Sequence, residues 1–242
     1  MNIELRDIHK AYDKTVLNNI SLKLDGFNTV AIIGKSGCGK STLLRLMTGI
    51  EEPDHGSITI NGYNVETGSR REYHNNIGIV FQQHNLFPHL SLLRNISLIL
   101  EKTRGLSSSD AEQRAIAQLT QLQLEDQIYK KPAFVSGGQA QRASIARALS
   151  TDPEIVFMDE PTAALDPILT NEVLEAVLNL KSSGTKFIFV THELDFVRKF
   201  AEYIIFLDDG VIKEHGPVET LKNPATEKLE QFLLRPPLKA VI

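Results

Sequence analysis

The run Gly34-Lys35-Ser36-Gly37-Cys38-Gly39-Lys40-Ser41 fits the pattern G-x-x-x-x-G-K-[S/T]. Such a loop offers backbone N–H groups to phosphate oxygens, a lysine to the β- and γ-phosphates and a hydroxyl to Mg²⁺. Average residue usage would produce the pattern by chance in roughly one chain of this length per hundred. A second chemical pair follows at Asp159-Glu160. An Asp at that position can hold Mg²⁺ and the adjacent Glu can orient or deprotonate an attacking water; the plainer reading is a turn started by two acids and Pro161. A third feature is Ser136-Gly137-Gly138-Gln139, with the Ser-to-Gln spacing of a capping box. Two glycines directly after a cap weaken the first turn, which suits a ligand that must approach closely. This second helix start lacks a lysine and a metal hydroxyl, so it could complete a site on another chain.

These residues need elements to hold them. Thr29–Ile33 is apolar and β-branched and reads as a buried strand feeding the loop. Leu43, Leu44, Leu46 and Met47 then trace a helix that ends near Gly49. Glu4–Ile8, Ile20–Leu24, Ser57–Asn61 and Ile77–Phe81 read as further strands. From about Asn85 to Leu149 the pattern turns helical, with Ser109 and Glu112 as a capping-box start before Ala115, Ile116, Leu119 and Leu122. Alternation returns after Pro153: strand Glu154–Met158, helix Pro167–Lys181, strand Lys186–Val190, helix Glu193–Ala201. A hairpin of Tyr203–Leu207 and Val211–His215 closes around Asp209-Gly210. The expected fold is α/β: a phosphate-loop NTPase core with a mostly parallel sheet, an N-terminal antiparallel β part and a helical subdomain inserted at 85–150, within one domain of residues 1–242.

Composition narrows the class. With 242 residues the chain can bury a substantial core, and a net charge of −4 gives no reason to expect a nucleic-acid partner. The single cysteine, Cys38, excludes an intramolecular disulfide and reads as a small filler or a reactive thiol in the loop. No signal-peptide pattern and no run of roughly 18–20 apolar residues appears, so a cytoplasmic location is expected.

The motif at Ser136–Gln139, continued by Gln141-Arg142 and Ile145-Ala146-Arg147-Ala148-Leu149, resembles the signature of ABC-transporter ATP-binding subunits. The resemblance runs along essentially the whole chain, and it implies a set of roles. Tyr12 stacks on adenine; Gly34, Lys35, Ser36, Gly37, Cys38, Gly39, Lys40, Ser41 and Thr42 bind the phosphates; Gln82 links Mg²⁺ to a transmembrane partner. Ser41, Gln82 and Asp159 are the implied metal ligands. Glu160, His192 and Lys40 are the implied catalytic groups, His192 as a switch on the γ-phosphate. Ser136, Gly137, Gly138, Gln139 and Asp166, the last within Ala164-Leu165-Asp166, contact the nucleotide of a partner chain. Read alone, each has a modest alternative: Tyr12 at a strand edge, Gln82 in a solvated loop, Asp166 capping a helix that begins at Pro167, His192 structural.

The implied cofactors are ATP and Mg²⁺. The implied partners are a second ATPase subunit in a homodimer or pseudo-dimer, transmembrane permease subunits and, indirectly, a solute-binding protein. The implied place is the inner face of the bacterial cell membrane. Thr191–Arg198, Glu214-His215-Gly216-Pro217, Asn223-Pro224 and Leu229–Leu234 look closest to importers of polar amino acids. ATPases of lipoprotein-release or cell-division complexes share the catalytic motifs. A soluble ABC ATPase of DNA repair or translation, or a small-molecule kinase, are the other classes to separate. Two residues depart from the family pattern: Val135 where leucine is usual, and Arg94 where glutamate is usual near the expected membrane-partner groove.

Overall fold

The computed structural model describes residues 1–163, 165–180 and 184–234, in two compact units. The first unit comprises residues 1–67 and, among the described residues, 190–234. It contains β1 (Asn2–Ala11), β2 (Thr15–Asp25), β3 (Thr29–Gly34), α1 (Lys40–Met47), β4 (His55–Ile60) and β5 (Tyr63–Asn64). The second unit, residues 68–189, follows with α2 (Arg70–Asn76), β6 (Ile77–Val80), α3 (Leu92–Arg104), α4 (Ser108–Gln121), α5 (Gly137–Leu149), β7 (Ile155–Asp159), α6 (Pro167–Leu180) and β8 (Lys186–Val190). The chain then returns to the first unit with α7 (Leu194–Phe200), β9 (Tyr203–Asp208), β10 (Val211–Pro217) and α8 (Glu227–Leu233).

In the first unit, β2-β1-β4-β5 form an antiparallel sheet. Ile3, Leu5 and Ile8 of β1 are all buried, although Leu5 and Ile8 are three residues apart. A bulge between them absorbs the extra residue, with Asp7 at φ 48°, so both side chains reach the same face. Beside this sheet runs the order β10-β9-β3, with β3 parallel to β9 and β9 antiparallel to β10. Every residue of β3 is buried. The apolar run that predicted this strand thus reflects coverage on both faces.

In the second unit β6 is parallel to β7 in the order β8-β7-β6, and α3, α4 and α5 pack on one another. Their contacts are apolar at helical spacing: Leu92, Ile96 and Leu100 from α3, Ala111, Ala115 and Leu119 from α4, Ala143 and Ala146 from α5. Two helix starts and one whole helix differ from the sequence reading. Helix α3 begins at Leu92 rather than near Asn85, because Ser91 caps it by accepting from Arg94 N. Helix α4 is capped by Ser107, which accepts from Asp110 N, and not by Ser109. Three serines in a row make the sequence signal degenerate, and the first of them is the cap. Helix α2 is unexpected; Tyr73 is its only buried residue, so it carries no periodic stripe to read. Ala164 and Lys181, parts of the expected loop and helix, lie outside the described residues.

Candidate functional site

The phosphate loop connects β3 to α1. Gly34 has φ 153°, and a Cβ there would sit 2.1 Å from the carbonyl oxygen of Leu207 on β9. Gly39 has φ 104°, and a Cβ there would lie 2.7 Å from Leu17 Cδ2. Both fixed glycines of the pattern are therefore demanded twice, by backbone conformation and by close neighbours. Gly39 is also the N-cap of α1 and has no side chain to cap with. The first-turn N–H groups of a helix have no partner four residues back in the same helix, so they point toward whatever lies at its N-terminus. Lys40 is buried, and its Nζ donates to the carbonyls of Gly34 and Lys35, each at 2.9 Å. Cys38 is buried too, and burial pushes its thiol pKa up, which disfavours the reactive thiolate and supports the filler reading.

Tyr12 follows β1 and is 55% exposed. Its hydroxyl donates to Glu51 and has Thr42, in the first turn of α1, as a second hydrogen-bond neighbour. Burial, followed by the Glu51 bond, raises its pKa, so the ring stays neutral near physiological pH. An exposed aromatic is thus fixed beside the exit of the phosphate loop. His192 lies between β8 and α7 with Nε2 3.5 Å from the Glu193 carboxylate. Thr191 Oγ1 shapes this turn by accepting from Glu193 N.

In the second unit, Asp159 ends β7 and is 5% exposed, whereas Glu160 is half-buried. Glu160 has φ 43°, the left-handed region that favours glycine. Pro161 follows, and Ala163 N donates to Glu160 O, so the carboxylate-bearing residue sits at a tight, strained turn. Asp7, Asp152 and Asp209 share this backbone region; Glu160 differs from them in directly following the strand-end Asp159.

Ser136 caps α5 with both bonds of a capping box: its Oγ accepts from Gln139 N at 3.2 Å, and Gln139 Oε1 accepts from Ser136 N at 2.9 Å. Ser136 itself remains exposed. The two glycines that follow have a packing reason as well as a ligand reason. A Cβ at Gly137 would stand 3.1 Å from Leu165, and one at Gly138 the same distance from Leu169. Asp166 caps α6, its Oδ1 accepting from Ile168 N and Leu169 N at 2.9 and 3.0 Å.

Gln82 is exposed in the loop after β6. That loop is tied to α5 by contacts the sequence did not suggest. Gln141, fully buried, accepts through Oε1 from His84 Nδ1 at 2.6 Å, and Arg147 donates to the carbonyls of Asn85 and His84. Burial lowers the Arg147 pKa without removing its charge at neutral pH. Phe87 is exposed; its backbone N–H and carbonyl are both held by buried Asn95. Arg94, the departure near this loop, spends its charge within α3 on Glu101, with Nη2 donating at 3.1 Å. The reversal of charge expected at that surface is thus largely neutralised by the helix itself.

The glycine cradle and buried lysine of the first unit form a phosphate-binding loop, and comparison with known proteins gives the class. The family model described as ABC transporter matches residues 17–163. Glutamine transport ATP-binding protein GlnQ of Escherichia coli (strain K12) is 40% identical over 96% of this chain and 98% of its own length. L-cystine import ATP-binding protein TcyN of Bacillus subtilis (strain 168) is 40% identical over 96% and 93%. Among solved structures, the dimeric post-hydrolysis state of the ATP-binding cassette MJ0796 with ADP and Pi aligns at TM-score 0.80 with 33% identity, over 89% of this chain and 98% of that one. The chain belongs to the ABC transporter family, as an ATP-binding and ATP-hydrolysing subunit. Among the described residues no helix is long and apolar enough to cross a membrane.

Proposed function

We propose that this subunit powers import of a polar amino acid, working as a dimer with two composite ATP sites beneath transmembrane permease subunits. What carries the dimer reading is the start of α5: an exposed, capped serine followed by two glycines, with neither lysine nor metal hydroxyl of its own. Such a helix end receives anionic groups but cannot hold a triphosphate alone. It supplies Ser136, Gly137, Gly138 and Gln139, with Asp166, to the nucleotide held by a partner's phosphate loop. The amino-acid reading is supported by the near full-length relatives, which the names above describe as ATP-binding proteins of glutamine transport and L-cystine import.

In each site Lys40 and the N–H groups of Gly34–Thr42 bind the phosphates, and Tyr12 offers its exposed ring to adenine. Ser41, Asp159 and Gln82 offer oxygen ligands of the hard, mostly neutral-and-carboxylate kind that suits Mg²⁺. When bound, that ion neutralises charge at the β- and γ-phosphates. Glu160 takes a proton from, or orients, the attacking water, and His192 donates a hydrogen bond to the γ-phosphate. The helical block 85–150, with exposed Phe87 beside the Gln82 loop, meets the permease at the inner face of the membrane.

Mixed subunits test the composite site. Ser136→Arg and Lys40→Ala chains should each be inactive alone. Mixed together they form one site with both faces intact, and part of the activity should return. Absence of any recovery, with wild-type turnover independent of protein concentration, would refute the shared site. Reconstitution with its permease subunits in proteoliposomes, scored by uptake of labelled polar amino acids, tests the transport reading; ATP-driven uptake of none of them rejects it.

A further inference from the structure

One buried charge near the phosphate loop is used by none of these roles. Asp208, the last residue of β9, is 1% exposed, and its Oδ2 has no hydrogen-bond partner. Two lysines from opposite ends of the sequence neutralise it: Lys35 Nζ lies 3.6 Å from Oδ1 and Lys228 Nζ 3.6 Å from Oδ2. A carboxylate this deep is tolerated only because it is paired, so each lysine is held by the need of the other's partner.

The two lysines belong to different machinery. Lys35 is in the phosphate loop, and its carbonyl accepts from Lys40 Nζ. The turn after β9 touches the same loop again, with Gly210 N donating to Cys38 O at 3.2 Å. Lys228 is on α8, which is seated on the same unit by fully buried Leu229 and by Phe232, whose ring centroid lies 5.3 Å from that of Phe206. Glu214 fixes the start of α8, accepting from Ala225 N and Thr226 N at 2.8 and 2.9 Å. A continuous line of contacts therefore runs from α8 through Asp208 to Lys35 and on to Lys40.

We propose that Asp208 is a positioning residue for ATP binding, and that α8, through Lys228, shares its charge and so sets how firmly the phosphate loop is held. The inference rests on the reading that Gly34–Ser41 binds the ATP phosphates. It has a sign that separates it from simple electrostatics. Deleting a negative charge near a polyanion's site strengthens binding through space, whereas loss of an anchor weakens it.

The test uses the full-length chain. Asp208→Asn should raise KM for ATP at least fivefold with kcat changed less than twofold, and Asp208→Glu should restore part of the loss. Lys228, half exposed, is the safer variant for folding. Lys228→Met should raise KM about two- to threefold, and Lys228→Arg should behave as wild type. The sole cysteine gives a readout apart from activity: Cys38 is buried in the loop, and alkylation by N-ethylmaleimide without nucleotide should accelerate at least fivefold in Asp208→Asn and measurably in Lys228→Met. Folded variants with wild-type alkylation rates, or an Asp208→Asn protein with lowered KM, would overturn the proposal. Lys40→Ala separates the two levels. If it binds ATP normally, the loop reading itself fails; if it loses ATP while Asp208→Asn and Lys228→Met match wild type, only the Asp208 inference fails.

Discussion

Replacing Glu160 should invert the usual stability order of alanine and glycine. At most positions glycine is the less stable by about 0.5–1 kcal/mol, because its unfolded chain has more freedom to lose. Glu160, however, sits at φ 43°. A side chain with a Cβ costs about 1–2 kcal/mol there relative to glycine. Glu160→Ala and Glu160→Gly both remove the carboxylate and every contact it makes, so comparing them isolates the backbone. The difference of the two terms leaves Glu160→Gly the more stable by about 0.5–1 kcal/mol. For a chain of this size that corresponds to about 1–4 °C in Tm. Urea unfolding followed by far-UV circular dichroism, with thermal scans of both variants in one buffer, measures it. ATP turnover should meanwhile fall by about 10²–10⁴ in both, as loss of a positioned general base does. An alanine variant more stable than the glycine variant would refute the left-handed turn, and with it the idea that strain is tolerated at 160 to aim a carboxylate. Retained turnover would refute the assignment of the carboxylate.

Lys40→Ala should weaken ATP binding by about tenfold or more, since a charge-assisted phosphate contact is lost; equilibrium binding with a fluorescent ATP analogue reads it. Phe87→Ser should leave Tm within about 2 °C, because the ring is exposed and Asn95 holds the backbone, while co-purification with the permease subunits falls. For Glu214, burial raises the pKa, but the bonds from Thr226 and Ala225 outweigh it and the net direction is downward. A depressed carboxylate contributes stability above its unfolded pKa of about 4.3 and loses it as pH falls through the lower folded value. The Tm gap between wild type and Glu214→Gln should therefore be full at pH 7 and shrink below about pH 4.5; a gap that widens in acid would contradict this.

How much of this was legible beforehand depends on how local the determinant is. The phosphate loop, the Ser136 capping box, the Asp166 cap and the closing hairpin are specified by residues within about ten positions of one another, and the structure has each of them. The β1 bulge broke a period of two that the sequence could only show as uneven spacing. Helix α2 was missed because it buries one side chain. The glycines after Ser136 were assigned to a ligand alone because Leu165 and Leu169, which pack against them, are some thirty positions away. Still longer separations hide Asp208 from Lys35 and His84 from Gln141: two polar residues far apart in sequence give no pattern until the fold joins them.

Helix α5 carries Ser136 at its tip and grips, through Gln141 and Arg147 along its shaft, the backbone and imidazole of the loop that follows Gln82. Mechanically it is a rigid rod with two fixtures. Thirteen helical residues, ten of them buried, leave it little room to bend, so displacement at one fixture becomes displacement at the other. A push on the Gln82 loop and a pull on Ser136 are then the same coordinate read from two ends. The rod needs no relay of successive rearrangements, only a pivot.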